Sequence, residues 1–188
     1  HDRGARVFHR AALDYPKMVK KLVLIDIMPT PHIYKNLNKN ISESFFHWFL
    51  LSRKKPLPEK LIEANPKFYL KTKLKMWGNT NNFIETKAMK EYLRCFSKKA
   101  TIHATCEDYR AAATVDILHH NKDRNRKINC PVLVLWGKRG TLDKLYDPIK
   151  IWKKWAKNVK GYSLNCGHFL PEERPIETLN AILNFCKV

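Results

Sequence analysis

The sequence predicts an α/β protein in which a parallel sheet flanked by helices is interrupted by a helical cap. Three observations carry that expectation. Two compact apolar runs, KLVLIDI at 21–27 and CPVLVLW at 130–136, have the unbroken character of strands buried on both faces. Segments of helical period stand next to them. Between them lies a long stretch rich in lysine, asparagine and aromatic residues, where no strand-like alternation persists.

Residues 4–15 show the apolar spacing of a helix packed on a sheet, and Asp14-Tyr15-Pro16 ends it. The run at 21–27 is the first strand, and Pro29-Thr30-Pro31 breaks the regular structure after it. Residues 32–126 form the expected cap, with short helices over 42–52, 60–74, 83–96 and 110–118. The run at 130–136 is the second strand, closed by Gly137. Residues 160–164 make a weaker third strand, followed by Asn165-Cys166-Gly167-His168. A last helix covers 175–186, with Pro175 in its first turn, where a missing N–H costs nothing. The expected organisation is a core segment at 1–31, a cap at 32–126 and a second core segment at 127–188. In such sheets, active side chains sit on loops leaving the carboxyl ends of the strands.

Composition narrows the classes of function. A chain of 188 residues, 44% of them hydrophobic, can build a real core. No run approaches the roughly 18 apolar residues that span a membrane. The formal charge of +19 is large, but the 26 lysines are scattered and accompany no nucleic-acid motif. The charge therefore reads as a solvated surface, with no nucleic acid and no membrane as partner. Five dispersed cysteines, none in a C-x-x-C pair, indicate free thiols in a reducing, cytoplasmic compartment. Cys166 reads as core, Trp152 and Trp155 as packing, and Glu172-Glu173 as serving a helix start. His103, His119 and His120 lack ligand spacing to carboxylates or thiolates, so no metal is assigned.

The first six residues, HDRGAR, carry the chemistry. With the helical stretch after them they read as a nucleophile elbow, a strained strand-to-helix turn that exposes its central side chain. Asp2 stands where a serine would be. A carboxylate there points to attack on a saturated carbon rather than acyl transfer. Arg3 and Arg6 lie beside it, where cations at a helix N-terminus are disfavoured unless an anion is present. They suggest a substrate that carries its own negative charge. A chain without an initiator Met that opens on such a turn is expected to be the C-terminal part of a longer protein.

HDRGAR at 1–6, LVLIDIMPT at 22–30, FFHWFLL at 45–51, CEDYRAAA at 106–113, PVLVLWG at 131–137 and CGHFLPEE at 166–173 together resemble a haloacetate dehalogenase of the fluoroacetate type. The resemblance covers essentially the whole chain and implies the C-terminal part of an α/β-hydrolase fold with a helical cap. It implies Asp2 as the nucleophile and His168 as the base that activates water. It implies Asp26 as the acid that orients His168, although many relatives place this acid after the next strand, near Asp143 and Asp147. Arg3 and Arg6 would clamp the substrate carboxylate with planar forks of donors. His47, Trp48 and Tyr109 would bind the departing halide in a pocket between cap and core. The implied reaction turns a small 2-haloacid such as fluoroacetate or chloroacetate into glycolate through an ester on Asp2, without a cofactor. The substrate is the implied partner, and a homodimer is compatible with the resemblance.

Two other readings compete. An epoxide hydrolase shares the Asp–His–acid core but needs neither HW in the cap nor two arginines at the elbow. The second is a catalytically inactive fragment: the strand that feeds the elbow, and the upstream oxyanion-hole donor, lie outside these residues. On that ground the isolated chain is expected to be unstable or inactive.

Overall fold

The computed structural model describes residues 1–79 and 82–187. The elements run α1 (Asp2–Asp14), β1 (Leu22–Ile25), α2 (Thr30–Lys35), α3 (Lys39–Ser44), α4 (Phe46–Leu51), α5 (Leu57–Ala64), α6 (Pro66–Trp77), α7 (Thr86–Phe96), α8 (Lys99–Ala113), α9 (Val115–Lys122), β2 (Val132–Gly137), α10 (Thr141–Leu145), α11 (Pro148–Trp152), β3 (Val159–Leu164), α12 (Leu170–Glu173) and α13 (Pro175–Cys186). They fall into two compact units. One comprises His1–His32, Trp77–Phe83 and Asn125–Val188, and the other Ile33–Met76 and Ile84–Arg124. No helix among the described residues is long and apolar enough to cross a membrane.

The first unit is built on a parallel sheet of order β1-β2-β3. Leu22 pairs with Val132 and Ile25 with Leu135, while Val132 pairs with Val159 and Gly137 with Leu164. Alternation along the strands divides their apolar residues between two faces. On one face Ile25, Leu133 and Leu135 join Cys166, Leu170, Ala181 and Phe185 in a single buried cluster, which brings α12 and α13 onto the sheet. Cys166 is thus a core residue, as its type suggested. On the other face Ile149 of α11 lies over Gly161 of β3, and the Trp152 indole donates to the Ile27 carbonyl at 3.0 Å. Burial on both faces is why β1 and β2 read as continuous apolar runs rather than alternating ones.

The second unit is all helical. Its core gathers Ile41, Phe45, Trp48, Leu51, Ile62, Ile102, Cys106, Tyr109 and Ala112, all buried. Several expected helices are split here. The stretch 42–52 is two helices, α3 and α4, divided at Phe45 (φ −107°, ψ 25°). The stretch 60–74 is α5 and α6, divided where Pro66 forces Asn65 out of helical geometry (φ −156°, ψ 74°). The stretch 110–118 straddles a break at Thr114 (φ −128°, ψ −88°), and α8 extends back to Lys99. The helix expected over 175–186 is observed as α13.

Candidate active site

Strand ends in the first unit deliver the site. Asp26 directly follows β1 and donates its backbone N–H to the Leu135 carbonyl at 2.8 Å, so it is the last residue still tied to the sheet. Gly137 closes β2, and His168 lies in the loop after β3. Asp2 opens α1 with φ 45°, and Asp26 has φ 47°. Each is a non-glycine residue held in the left-handed region, a cost of order 1–3 kcal/mol that surrounding structure must offset. Such strain is what a nucleophile elbow requires.

His168 has a carboxylate at each ring nitrogen. Its Nδ1–H donates to Asp26 Oδ2 at 2.6 Å, and its Nε2 lies 3.5 Å from Asp2 Oδ2. An ionised carboxylate only accepts, so the proton on Nδ1 belongs to the imidazole. The other Asp26 oxygen accepts the Gly137 N–H at 2.9 Å, which leaves the carboxylate little freedom to turn. His168 and Asp26 are 5% and 3% exposed, while the Asp2 side chain keeps 42% of its surface open. Neither alternative acid occupies this position. Asp143 accepts from the Trp136 indole at 2.6 Å, and Asp147 caps α11 by accepting the Lys150 N–H at 2.9 Å.

Electrostatics follow from this geometry. Burial alone would push the His168 imidazole down. It is outweighed by the hydrogen bonds and charges of Asp2 and Asp26, which raise it to about 10. Desolvation works upward on Asp2 as well, yet His168, Arg3 and Arg6 together hold that carboxyl at about 2. Arg3 and Arg6 are one turn apart on α1, on the same side of the helix, and Arg6 is only 7% exposed. A buried guanidinium is expensive unless an anion faces it.

His47 and Trp48 of α4 and Tyr109 of α8 are brought together inside the second unit. The Tyr109 ring centroid lies 5.7 Å from that of His47 and 6.2 Å from that of Trp48, and all three side chains are buried. Tyr34 also reaches Trp48, at 5.7 Å. Elsewhere in this unit Glu59, His103 and Glu107 offer ligand atoms within 4.8 Å of one another. Arg110 already uses that cluster, donating to Glu59 Oε1 at 2.8 Å, Glu59 Oε2 at 3.0 Å and Glu107 Oε1 at 2.6 Å.

The structure adds contacts around His168 that the motifs did not point to. The Trp77 ring meets the His168 imidazole edge-on at 5.0 Å, and the Trp77 carbonyl accepts the His168 backbone N–H at 3.0 Å. His1 Nε2 donates to the His168 carbonyl at 2.9 Å. Glu173, expected to serve a helix start, does reach back over the first turn of α12 to the Phe169 N–H, but also to Gly167 and Asn79. Only its position just past the histidine loop, in CGHFLPEE, could have drawn attention to it.

Comparison with known proteins places these observations in context. The α/β hydrolase fold family matches residues 1–175. A fluoroacetate dehalogenase from Burkholderia sp is 33% identical over 98% of this chain and 61% of its own length. A soluble epoxide hydrolase from Corynebacterium sp. (strain C12) is 26% identical, over 98% of this chain and 64% of its length. A crystal structure described as an α/β hydrolase from Nostoc sp PCC 7120 superimposes with a TM-score of 0.98 at 53% identity, covering 99% of this chain and 64% of that one. The chain therefore spans less than two thirds of the length of these relatives.

Proposed function

Since the chain belongs to the α/β hydrolase fold family, we propose that it carries the catalytic residues of a hydrolase that removes halide from small 2-haloacids. The observation that supports this reading most directly is a strained Asp2 facing His168, with Arg3 and Arg6 acting on the same carboxylate. The likeness to a fluoroacetate dehalogenase supports the choice of substrate.

In the first step an Asp2 oxygen forms a bond to the α-carbon of the haloacid. The carbon–halogen bond breaks and halide leaves with its electron pair. Arg3 and Arg6 hold the substrate carboxylate, which fixes the α-carbon for in-line attack. His47, Trp48 and Tyr109 carry an imidazole N–H, an indole N–H and a phenol O–H, the kinds of donor that a departing halide needs as charge develops on it.

In the second step water adds to the carbonyl carbon of the Asp2 ester, and its proton passes to His168 Nε2. The carbonyl carbon–oxygen bond to the alkyl group breaks, glycolate leaves with a proton, and Asp2 regains its carboxylate. One proton per turnover reaches solvent from His168, matching the halide released. The resting imidazole holds its proton because two carboxylates flank it. Esterification removes one of those charges, lowers the imidazole pKa and frees Nε2 to accept a proton. The nucleophile thus switches its own base on.

The test is a single turnover of fluoroacetate in oxygen-18 water, with styrene oxide as a parallel substrate. The label is expected in Asp2, and His168→Asn is expected to trap the ester, seen by intact mass. Label found only in glycolate would remove the covalent route. Turnover of styrene oxide with no fluoride released would favour an epoxide hydrolase.

A further inference from the structure

We infer that Glu173 is the positioning residue of the catalytic histidine: its carboxylate clamps the backbone on both sides of His168 and ties that loop to the segment carrying Trp77. The inference rests on the reading of His168 as the base for ester hydrolysis.

The two neighbours of His168 in the chain both donate to Glu173. Gly167 N–H reaches Oε2 at 3.0 Å, and Phe169 N–H reaches Oε1 at 3.2 Å. Asn79 N–H also reaches Oε2, at 3.0 Å. The His168 N–H itself goes to the Trp77 carbonyl at 3.0 Å. Three successive backbone donors, 167 to 169, are therefore assigned, and one side chain takes two of them. A carboxylate has two acceptor oxygens, which let it take donors from both sides at once, whereas a glutamine amide of the same length has one. Hydrogen bonds to a charged acceptor are also stronger than neutral ones.

Packing around the clamp leaves no slack. A Cβ on Gly167 would come within 2.7 Å of both Asn79 N and the Trp77 carbonyl oxygen, and within 2.9 Å of Glu173 Oε1. A Cβ on Gly137 would meet the Gly167 carbonyl oxygen at 1.9 Å. Gly137 is also the residue whose N–H holds Asp26. The two glycines thus let the Asp26 anchor and the histidine loop approach closely, and Glu173 fixes the loop in that approach. His168 supplies only the second half-reaction, so the clamp acts there and not on halide displacement.

This asymmetry defines the experiment, carried out on the full polypeptide. In Glu173→Ala, fluoroacetate is expected to give a burst of one fluoride per active site at the unmodified protein's rate. Steady-state turnover then slows roughly 10²-fold, the scale of a base displaced by about 1 Å. The ester accumulates on Asp2, as intact mass would show. Glu173→Gln keeps one carbonyl acceptor and is expected to fall between the two. Equal loss of burst and turnover without ester, or no change in either, would overturn the inference. A second readout needs no reaction: the downfield proton resonance of His168 Nδ1–H, bonded to Asp26, is expected to broaden or shift in Glu173→Ala. An unchanged resonance would also overturn it. If the unmodified protein releases no halide and His168→Asn traps no ester, the haloacid reading fails instead, and the resonance still decides the role of Glu173.

Discussion

Asp2 and Asp26 reach His168 from opposite ring nitrogens, and the two contacts have different consequences. The Asp26 contact is short, buried and doubly anchored, so it sets tautomer and orientation. The Asp2 contact is longer, at 3.5 Å, and in the proposed mechanism its charge is removed when Asp2 becomes an ester. In Asp26→Asn the imidazole should lose its orienting anion, and ester hydrolysis should slow by about 10³-fold or more. Stopped-flow turnover combined with NMR titration of His168 would check this. The pH dependence follows from the same pair. His168 is raised from 6.5 to about 10, so its stabilisation is fully present below 6.5 and is lost as pH rises through 10. Asp2 is lowered from 3.8 to about 2, so its stabilisation is present above 3.8 and is lost as pH falls through 2. Melting temperature against pH should therefore decline toward both ends, and Asp26→Asn should flatten the alkaline decline.

At the scale of elements, the second unit is held by an ion pair between α5 and α8 as well as by apolar packing. Glu59 of α5 and Arg110 of α8 bond through both carboxylate oxygens, with side chains 4% and 17% exposed. The Arg110 Nε–H also donates to the Arg53 carbonyl at 2.8 Å, which draws the start of the α4–α5 connection to α8. The arginine beside Glu59 holds that carboxyl at about 2, so this contribution is present above 4.5 and is lost as pH falls through 2. Glu59→Ala would leave a half-buried guanidinium without its main counter-ion and should cost roughly 3 kcal/mol. Replacing both partners with methionine should recover much of that loss. Denaturant midpoints for the single and double variants would measure it.

Over the whole molecule, a net charge of +19 on 188 residues means that folding gathers like charges. Only 17 acidic residues are available to offset 36 basic ones. Several acids, Asp14, Glu59 and Glu91 among them, are already paired with arginines, and the remaining basic surface repels itself. Screening should relieve that repulsion, since the Debye length falls from about 10 Å at 0.1 M salt to about 3 Å at 1 M. Melting temperature is expected to rise between 50 mM and 500 mM sodium chloride, by differential scanning fluorimetry. A fall would show that local ion pairs, rather than overall repulsion, dominate the electrostatics.

Much of the fold and of the site was legible in the residues themselves. The strands were, because burial on both faces leaves unbroken apolar runs. The unusual turn at Asp2 was, because two arginines at a helix start have no ordinary structural reason to be there. Helix limits in the second unit were not. Those of α8 depend on Ile102, Cys106, Tyr109 and Ala112, a face of mixed residue types whose burial comes from neighbouring helices. The choice of Asp26 over Asp143 and Asp147 rested on resemblance. In the structure it follows from register, because β1 and β2 pair so that Asp26 meets the Gly137 N–H and His168 together. Glu173 shows the limit most clearly. Hydrogen bonds from Asn79, 94 residues away in sequence, and from Gly167 and Phe169 converge on it. Residue type and local period determine which segments become strands, helices and turns. Which acid, which loop and which backbone donors meet at one point depends on contacts between residues far apart in the chain, and only the folded chain decides those.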